Sequence, residues 1–151
     1  MNSCSSDVSE VPKLNAALSQ KVVDYSYNAS EIETMDLINS YRVSIGLNSL
    51  TKINYISLKS EEHDNYMIIN NVVNHNDFVV RSENIMNALG AKSVSENIAY
   101  NYNTSQSVLN AWLASPEHKK NIEGNYTHFG IAIRMDPVTG KKYYTNIFAK
   151  I

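Results

Sequence analysis

The C-terminal stretch HFGIAIRMDPVTGKKYYTNIFAKI, residues 128–151, alternates apolar and polar positions on both sides of a Pro-to-Gly turn at 137–140. That pattern predicts two antiparallel strands joined as a hairpin. Upstream the period changes. SEIE at 30–33 has the form of a capping box, Ser30 with Glu33, followed by apolar residues at 32, 35, 38, 41 and 45 and closed by Gly46. This predicts an amphipathic helix. After a turn over GLNSLT, the helical period resumes through TKINYISLKSEEHDNYMIINN with Ile56, Ser60, His63 and Met67 on one face. VNHNDF interrupts it, and Asp77 is placed to cap a third helix carrying Phe78, Ile85 and Leu89 and ending at Gly90. ENIAY reads as a strand. Thr104 or Ser105 then starts a fourth helix with Val108, Ala111 and Trp112 inward, stopped by Ser115 and Pro116, and HKKNI adds one further helical turn. About four helices with a small antiparallel sheet make an α+β sandwich.

With 151 residues, 43% hydrophobic, the chain builds one core. A net charge of -2 argues against a nucleic-acid partner. No stretch approaches the roughly 18 consecutive apolar residues of a spanning helix. Residues 1–29 lack sustained periodicity and read as a flexible leader, although VVDYSY could add a short strand or a docking contact. The single cysteine, Cys4, excludes an internal disulfide. Its setting, MNSCSSDVSE, looks like the lipid-attachment cysteine of a bacterial lipoprotein, which implies an extracytoplasmic domain on a tether, its only link to the membrane. Three glycosylation sequons, at Asn28, Asn103 and Asn125, are as many as chance provides in so Asn- and Ser-rich a chain and carry no weight.

Four histidines, His63, His75, His118 and His128, stand outside any HExxH, CxxC or Walker-type pattern. His75 falls in a loop, Glu96 at the start of a strand, and His118 in the first turn of a helix with Ser115 at N-cap and Pro116 at N1, all positions from which scaffolds present functional groups. The positive end of the helix dipole favours a neutral His118 ring. His63 reads as a half-buried packing residue, His128 as a surface residue at a strand start, Trp112 as core, and Arg81 as an ion-pair partner of Glu83 or Glu96.

The order NHNDFVVR, SENIAY, NAWLASPEHKKNI, THFGIAI and KYYTNIFAK, within residues 30–151, resembles the bacterial CAP superfamily of cysteine-rich secretory, antigen 5 and pathogenesis-related 1 proteins, also called SCP-like domains. The resemblance implies a three-layer α-β-α sandwich with a broad cleft, where two histidines and two acids can hold a divalent metal, often zinc. By position His75 and His118 match the histidines and Glu96 the acid of the ENIA motif. The second acid has no counterpart: Ser115 stands near its place, and the adjacent Glu117 is set in the next turn. The expected cleft is therefore His75, Glu96, His118 and Ser115, with His75, Glu96 and His118 as metal ligands. Two functions follow from it. One is a monomeric, non-enzymatic binding module for a peptide, glycan or lipid; the other is a zinc-dependent hydrolase of envelope peptide or glycan with Glu96 as general base.

Overall fold

The computed structural model describes residues 23–151; Cys4 lies outside them. The elements are α1 (Ala29–Ser44), β1 (Thr51–Lys52), α2 (Asn54–Asn70), α3 (Phe78–Leu89), β2 (Ser93–Tyr100), α4 (Ser105–Ala114), α5 (Pro116–Ile122), β3 (His128–Met135) and β4 (Lys142–Lys150). The sheet order is β1-β3-β4-β2. The expected hairpin pairs β3 with β4, and β2 joins the far side of β4 antiparallel. Two corrections apply. The last turn of HKKNI belongs to a fifth helix beginning at Pro116, and the sheet is mixed, because the unforeseen β1 runs parallel to β3.

Strand alternation sorts the core onto the two sheet faces. Phe129, Ile131, Ile133, Tyr144 and Phe148 pack with Met35 and Ile38 of α1 and Val108, Leu109 and Trp112 of α4. On the opposite face Ile147 and Ala149 meet Ile56 and Ile85, and Met67 meets Ile98 and Tyr143. These are the three layers of an α-β-α sandwich. Helix α2 lies close against β3 because Gly130 has no side chain there. A Cβ at that position would press on the Ser57 nitrogen and stand 2.6 Å from the Ile56 carbonyl carbon.

The first helix starts earlier than Ser30 implies. Its capping box is Asn28 with Glu31, and its buried stripe is Glu31, Thr34, Met35, Ile38 and Arg42, which leaves Ile32 and Ile45 exposed. The burial of two charged residues broke the apolar period, and each is satisfied inside. Arg42 donates to the carbonyls of Asn48, Ile122 and Gly124 at 2.7–2.9 Å, tying α1 to the end of α5. Glu31 accepts from the Tyr25 hydroxyl at 2.6 Å, the Asn28 nitrogen at 2.8 Å, Arg134 Nη1 at 2.8 Å and the Ile133 nitrogen at 3.0 Å. Residues 23–28 are consequently part of the folded unit rather than of a flexible leader. Tyr27 reinforces this through a 2.8 Å hydrogen bond to the Ser57 hydroxyl.

Side chains also close the sheet edges. Beyond β1, the Ile131 nitrogen donates to Ser57 Oγ at 3.1 Å and the Ile133 nitrogen to Glu31. On the other edge, Trp112 Nε1 donates to the Ile98 carbonyl at 3.0 Å and Asn121 Nδ2 to the Glu96 carbonyl at 3.4 Å. Groups that would otherwise template pairing with another chain are thereby occupied.

Asp64, on the sheet-facing side of α2, is fully buried, and burial raises its pKa well above the ordinary value. One oxygen accepts from the Thr145 hydroxyl at 2.6 Å, and the other has no partner among the described residues. Since its folded pKa is raised, its contribution to stability is present below the unfolded pKa and is lost as pH rises toward the folded one. Asp64→Asn should therefore gain on the parent protein as pH rises above about 4, by up to about 1.4 kcal/mol per pH unit until the folded pKa is reached. Urea unfolding of both proteins at pH 5 and pH 8 measures the change in the gap. A gap independent of pH would show that Asp64 titrates normally.

Candidate functional site

The site lies where β2, the loop before α3, and α5 meet. Glu96 and Asn97 are successive on β2 and point to opposite faces. Glu96 turns toward α2 and α3, where Arg81 grips it bidentately: Nε to Oε2 at 2.8 Å and Nη2 to Oε1 at 2.7 Å. His75 adds a hydrogen bond from Nδ1 to Oε1 at 2.9 Å. Burial pushes the Glu96 pKa up, but the hydrogen bonds from His75 and Arg81 and the charge of Arg81 outweigh it and hold the carboxyl below its usual range. Glu96 is therefore an ionised acceptor, and the proton of this bond is on His75 Nδ1. In the neutral ring Nε2 is left as an acceptor. The His75 side chain is 50% exposed, against 1% for Glu96.

The loop at 74–77 is held from three sides. His63 Nε2 donates to the Asn74 carbonyl at 2.7 Å, Arg81 Nη1 donates to the Asn76 carbonyl, and Glu96 takes the His75 ring. Asn74 Oδ1 accepts from the Asn76 nitrogen at 3.0 Å, an Asx turn. Asp77 then enters α3 with φ +59°, the left-handed region, and its side chain makes no capping hydrogen bond, contrary to the cap expected of it.

His63 is the residue that sequence reasoning missed. It is 2% exposed, not half-buried, and its Nε2 lies 4.0 Å from Glu96 Oε1. Its position on the inward face with Ser60 and Met67 was the available signal, because a buried imidazole needs a polar partner. Arg81 pairs with Glu96, one of its two anticipated partners, and Trp112 is core.

Asn97 faces α5. Its Nδ2 donates to the His118 carbonyl at 3.0 Å, while Asn121 Nδ2 donates to Asn97 Oδ1 at 2.8 Å. This fixes α5 at the edge of β2. Burial, and then the charge of His75, lower the His118 pKa, so the ring is neutral and within electrostatic reach of His75. Ser115 joins α4 to α5, its nitrogen donating to the Trp112 carbonyl at 3.2 Å, and its side chain makes no capping bond. It makes no hydrogen bond to His75, Glu96 or His118. His128 is half-buried rather than a surface group, with Nδ1 2.7 Å from Thr127 Oγ1.

The donor set does not fit a metal held jointly by His75, Glu96 and His118. Both Glu96 oxygens are engaged by Arg81, and one also by His75 Nδ1. Among the described residues, no three His, Cys, Asp or Glu side chains converge as a ligand group. A carboxylate held this way is also a poor general base.

Comparison with known proteins agrees with this architecture. The sequence model of the cysteine-rich secretory protein family, CAP, matches residues 35–148. The chain belongs to the CAP family. The uncharacterized membrane protein YlbC of Bacillus subtilis is 30% identical over 125 residues, covering 80% of this chain and 34% of YlbC. The uncharacterized protein YkwD of the same organism is 31% identical over 110 residues, covering 70% of this chain and 43% of YkwD. The chain thus spans less than half the length of either relative. An SCP-domain extracellular protein of Bacillus anthracis superposes with a TM-score of 0.72 at 24% identity, over 82% of this chain and 41% of that one. In this CAP domain the acid of the ENIA motif is a buried support, and the imidazole it orients is the group presented outward.

Proposed function

We propose that this CAP domain is an extracytoplasmic, monomeric binding module, tethered through an acylated Cys4, whose groove beside His75 takes an extended peptide. The observation that carries this reading is the locked Glu96, whose hydrogen bonds to Arg81 and His75 leave the half-exposed His75 ring to meet a ligand. The groove has a volume of about 530 Å³ and runs along Asn74 to Val80. Its wall includes Val79 and Val80, 65% and 52% exposed, beside the amides of Asn74 and Asn76. A polar end at Asn74 to Asp77 beside an apolar end at Phe78 to Val80, open to solvent, suits a peptide with polar and apolar groups better than a lipid tail, which needs an enclosed apolar cavity. The extracellular Bacillus anthracis relative supports the location.

Titration of the ¹⁵N-labelled domain with short synthetic peptides of mixed apolar and polar sequence tests the reading. Saturable shifts confined to residues 74–80 are expected, weakened about fivefold in His75→Ala by loss of one hydrogen bond. Peptides should be recovered uncleaved. Absence of shifts at the groove, or equal binding by His75→Ala, would overturn the proposal. Zinc should leave the melting temperature unchanged, because the Arg81 guanidinium already on both Glu96 oxygens opposes a second cation there. A rise abolished in the His75→Ala, His118→Ala double variant would restore a metal to the site.

A further inference from the structure

A second, smaller pocket of about 190 Å³ opens beside the groove, between α2 and α3. Its lining includes Glu62, His63, Tyr66, Asp77, Arg81 and Asn84. Glu62, His63 and Tyr66 lie within one turn of α2, and the rings of His63 and Tyr66 stack at 5.7 Å with an interplanar angle of 17°. Burial, which outweighs the opposing pull of Glu96, lowers the His63 pKa, so the ring is neutral; with its proton on Nε2, donated to Asn74, Nδ1 is an acceptor. No group among the described residues hydrogen-bonds to that nitrogen, although the residue is only 2% exposed. The fully buried side-chain atoms left without a partner among the described residues are on Asp64, Ser95 and Asn146, so this nitrogen keeps access to the pocket that His63 lines, where a donor can reach it.

The charges around the pocket point the same way. Arg81 is compensated by Glu96 and spends its third arm on the Asn76 carbonyl. Glu62 is shared with Lys59 at 3.1 Å. The Asp77 carboxylate has no cation within ion-pair distance among the described residues and makes no capping bond. The uncompensated groups are thus one acceptor nitrogen, His63 Nδ1, and one exposed carboxylate, Asp77, beside the Tyr66 ring, a combination that selects a hydrogen-bond donor with positive charge.

We propose that this pocket is a cation subsite for the lysine ammonium or arginine guanidinium group of a bound peptide, held by His63 Nδ1, the Asp77 carboxylate and the Tyr66 ring. The inference rests on the peptide reading of the adjoining groove for its role, but the pocket itself is tested without a peptide. n-Butylammonium and n-butylguanidinium are titrated into the ¹⁵N-labelled domain, with n-butanol as the neutral control of equal length. Saturable shifts are expected at His63, Tyr66, Asp77 and Asn84 for the two cations and not for the alcohol. In Asp77→Asn, which keeps a residue at ease in the left-handed region, the cations should bind about two- to fivefold more weakly. Equal response to butanol would overturn the proposal by making the pocket merely apolar. Cation shifts unaffected by Asp77→Asn would overturn it as non-specific. Cation binding here with no peptide binding in the groove would sustain the subsite and sink the peptide reading, and uncharged peptides binding at 74–80 with no cation effect would do the reverse.

Discussion

Arg81→Leu should destabilise the domain by about 3–5 kcal/mol, since it leaves the carboxylate of Glu96 buried without its cation. Both partners of the pair are buried, and both carboxylate oxygens take an arginine hydrogen bond. In the parent protein the folded pKa of Glu96 is depressed, so its contribution is present above the unfolded pKa and is lost as pH falls through the folded one. In the variant desolvation wins and the sign reverses, making the protein relatively more stable in acid. Adding Glu96→Leu should recover most of the loss, because the unpaired charge goes with it. Urea unfolding of the two variants at pH 5 and pH 8 measures all three effects. A single-variant cost below about 1 kcal/mol would place the pair among weak surface bridges and contradict its burial.

Gly130→Ala should cost on the order of 3 kcal/mol, at the upper end for one added methyl, because the atoms in its way are backbone. The Ser57 nitrogen and the Ile56 carbonyl carbon belong to the first turn of α2 and cannot rotate aside as a flexible side chain would. Helix α2 would have to lift from β3, disturbing the bond from Ile131 to Ser57 and, further along the helix, the seat of His63. The prediction is a fall in the urea midpoint together with changed amide shifts at residues 63 and 74–77. A midpoint within error of the parent would mean that the helix is not seated on this glycine.

The fold was readable where local pattern and tertiary role agree. The β3–β4 hairpin pairs as its alternation predicts, although helices on both faces bury both sides of its strands, Thr145 and Asn146 included, and Thr104 does cap α4. Pattern and structure part where burial is polar: Glu31 and Arg42 face inward on α1, so the capping box lies two residues before Ser30 and the buried stripe bypasses Ile32 and Ile45. β1 is too short to show a period and exists only because β3 offers it an edge. At the site, family order located His75, Glu96 and His118 but not their use. That depends on Arg81 reaching Glu96 from another element, and on His63 reaching the Asn74 carbonyl eleven residues on. Neither reach is written in local spacing.

The central claim is that Glu96 orients His75 and leaves Nε2 facing the groove. Long-range ¹H–¹⁵N correlation of the histidine rings in alkaline buffer reports the tautomer directly. A proton on Nδ1 and a bare Nε2 are expected for His75, reverting to the ordinary mixture in the Arg81→Leu, Glu96→Leu double variant, where no acceptor is left at position 96. A predominant Nε2–H tautomer in the parent protein, or a tautomer unchanged in that double variant, would contradict the orienting role of Glu96.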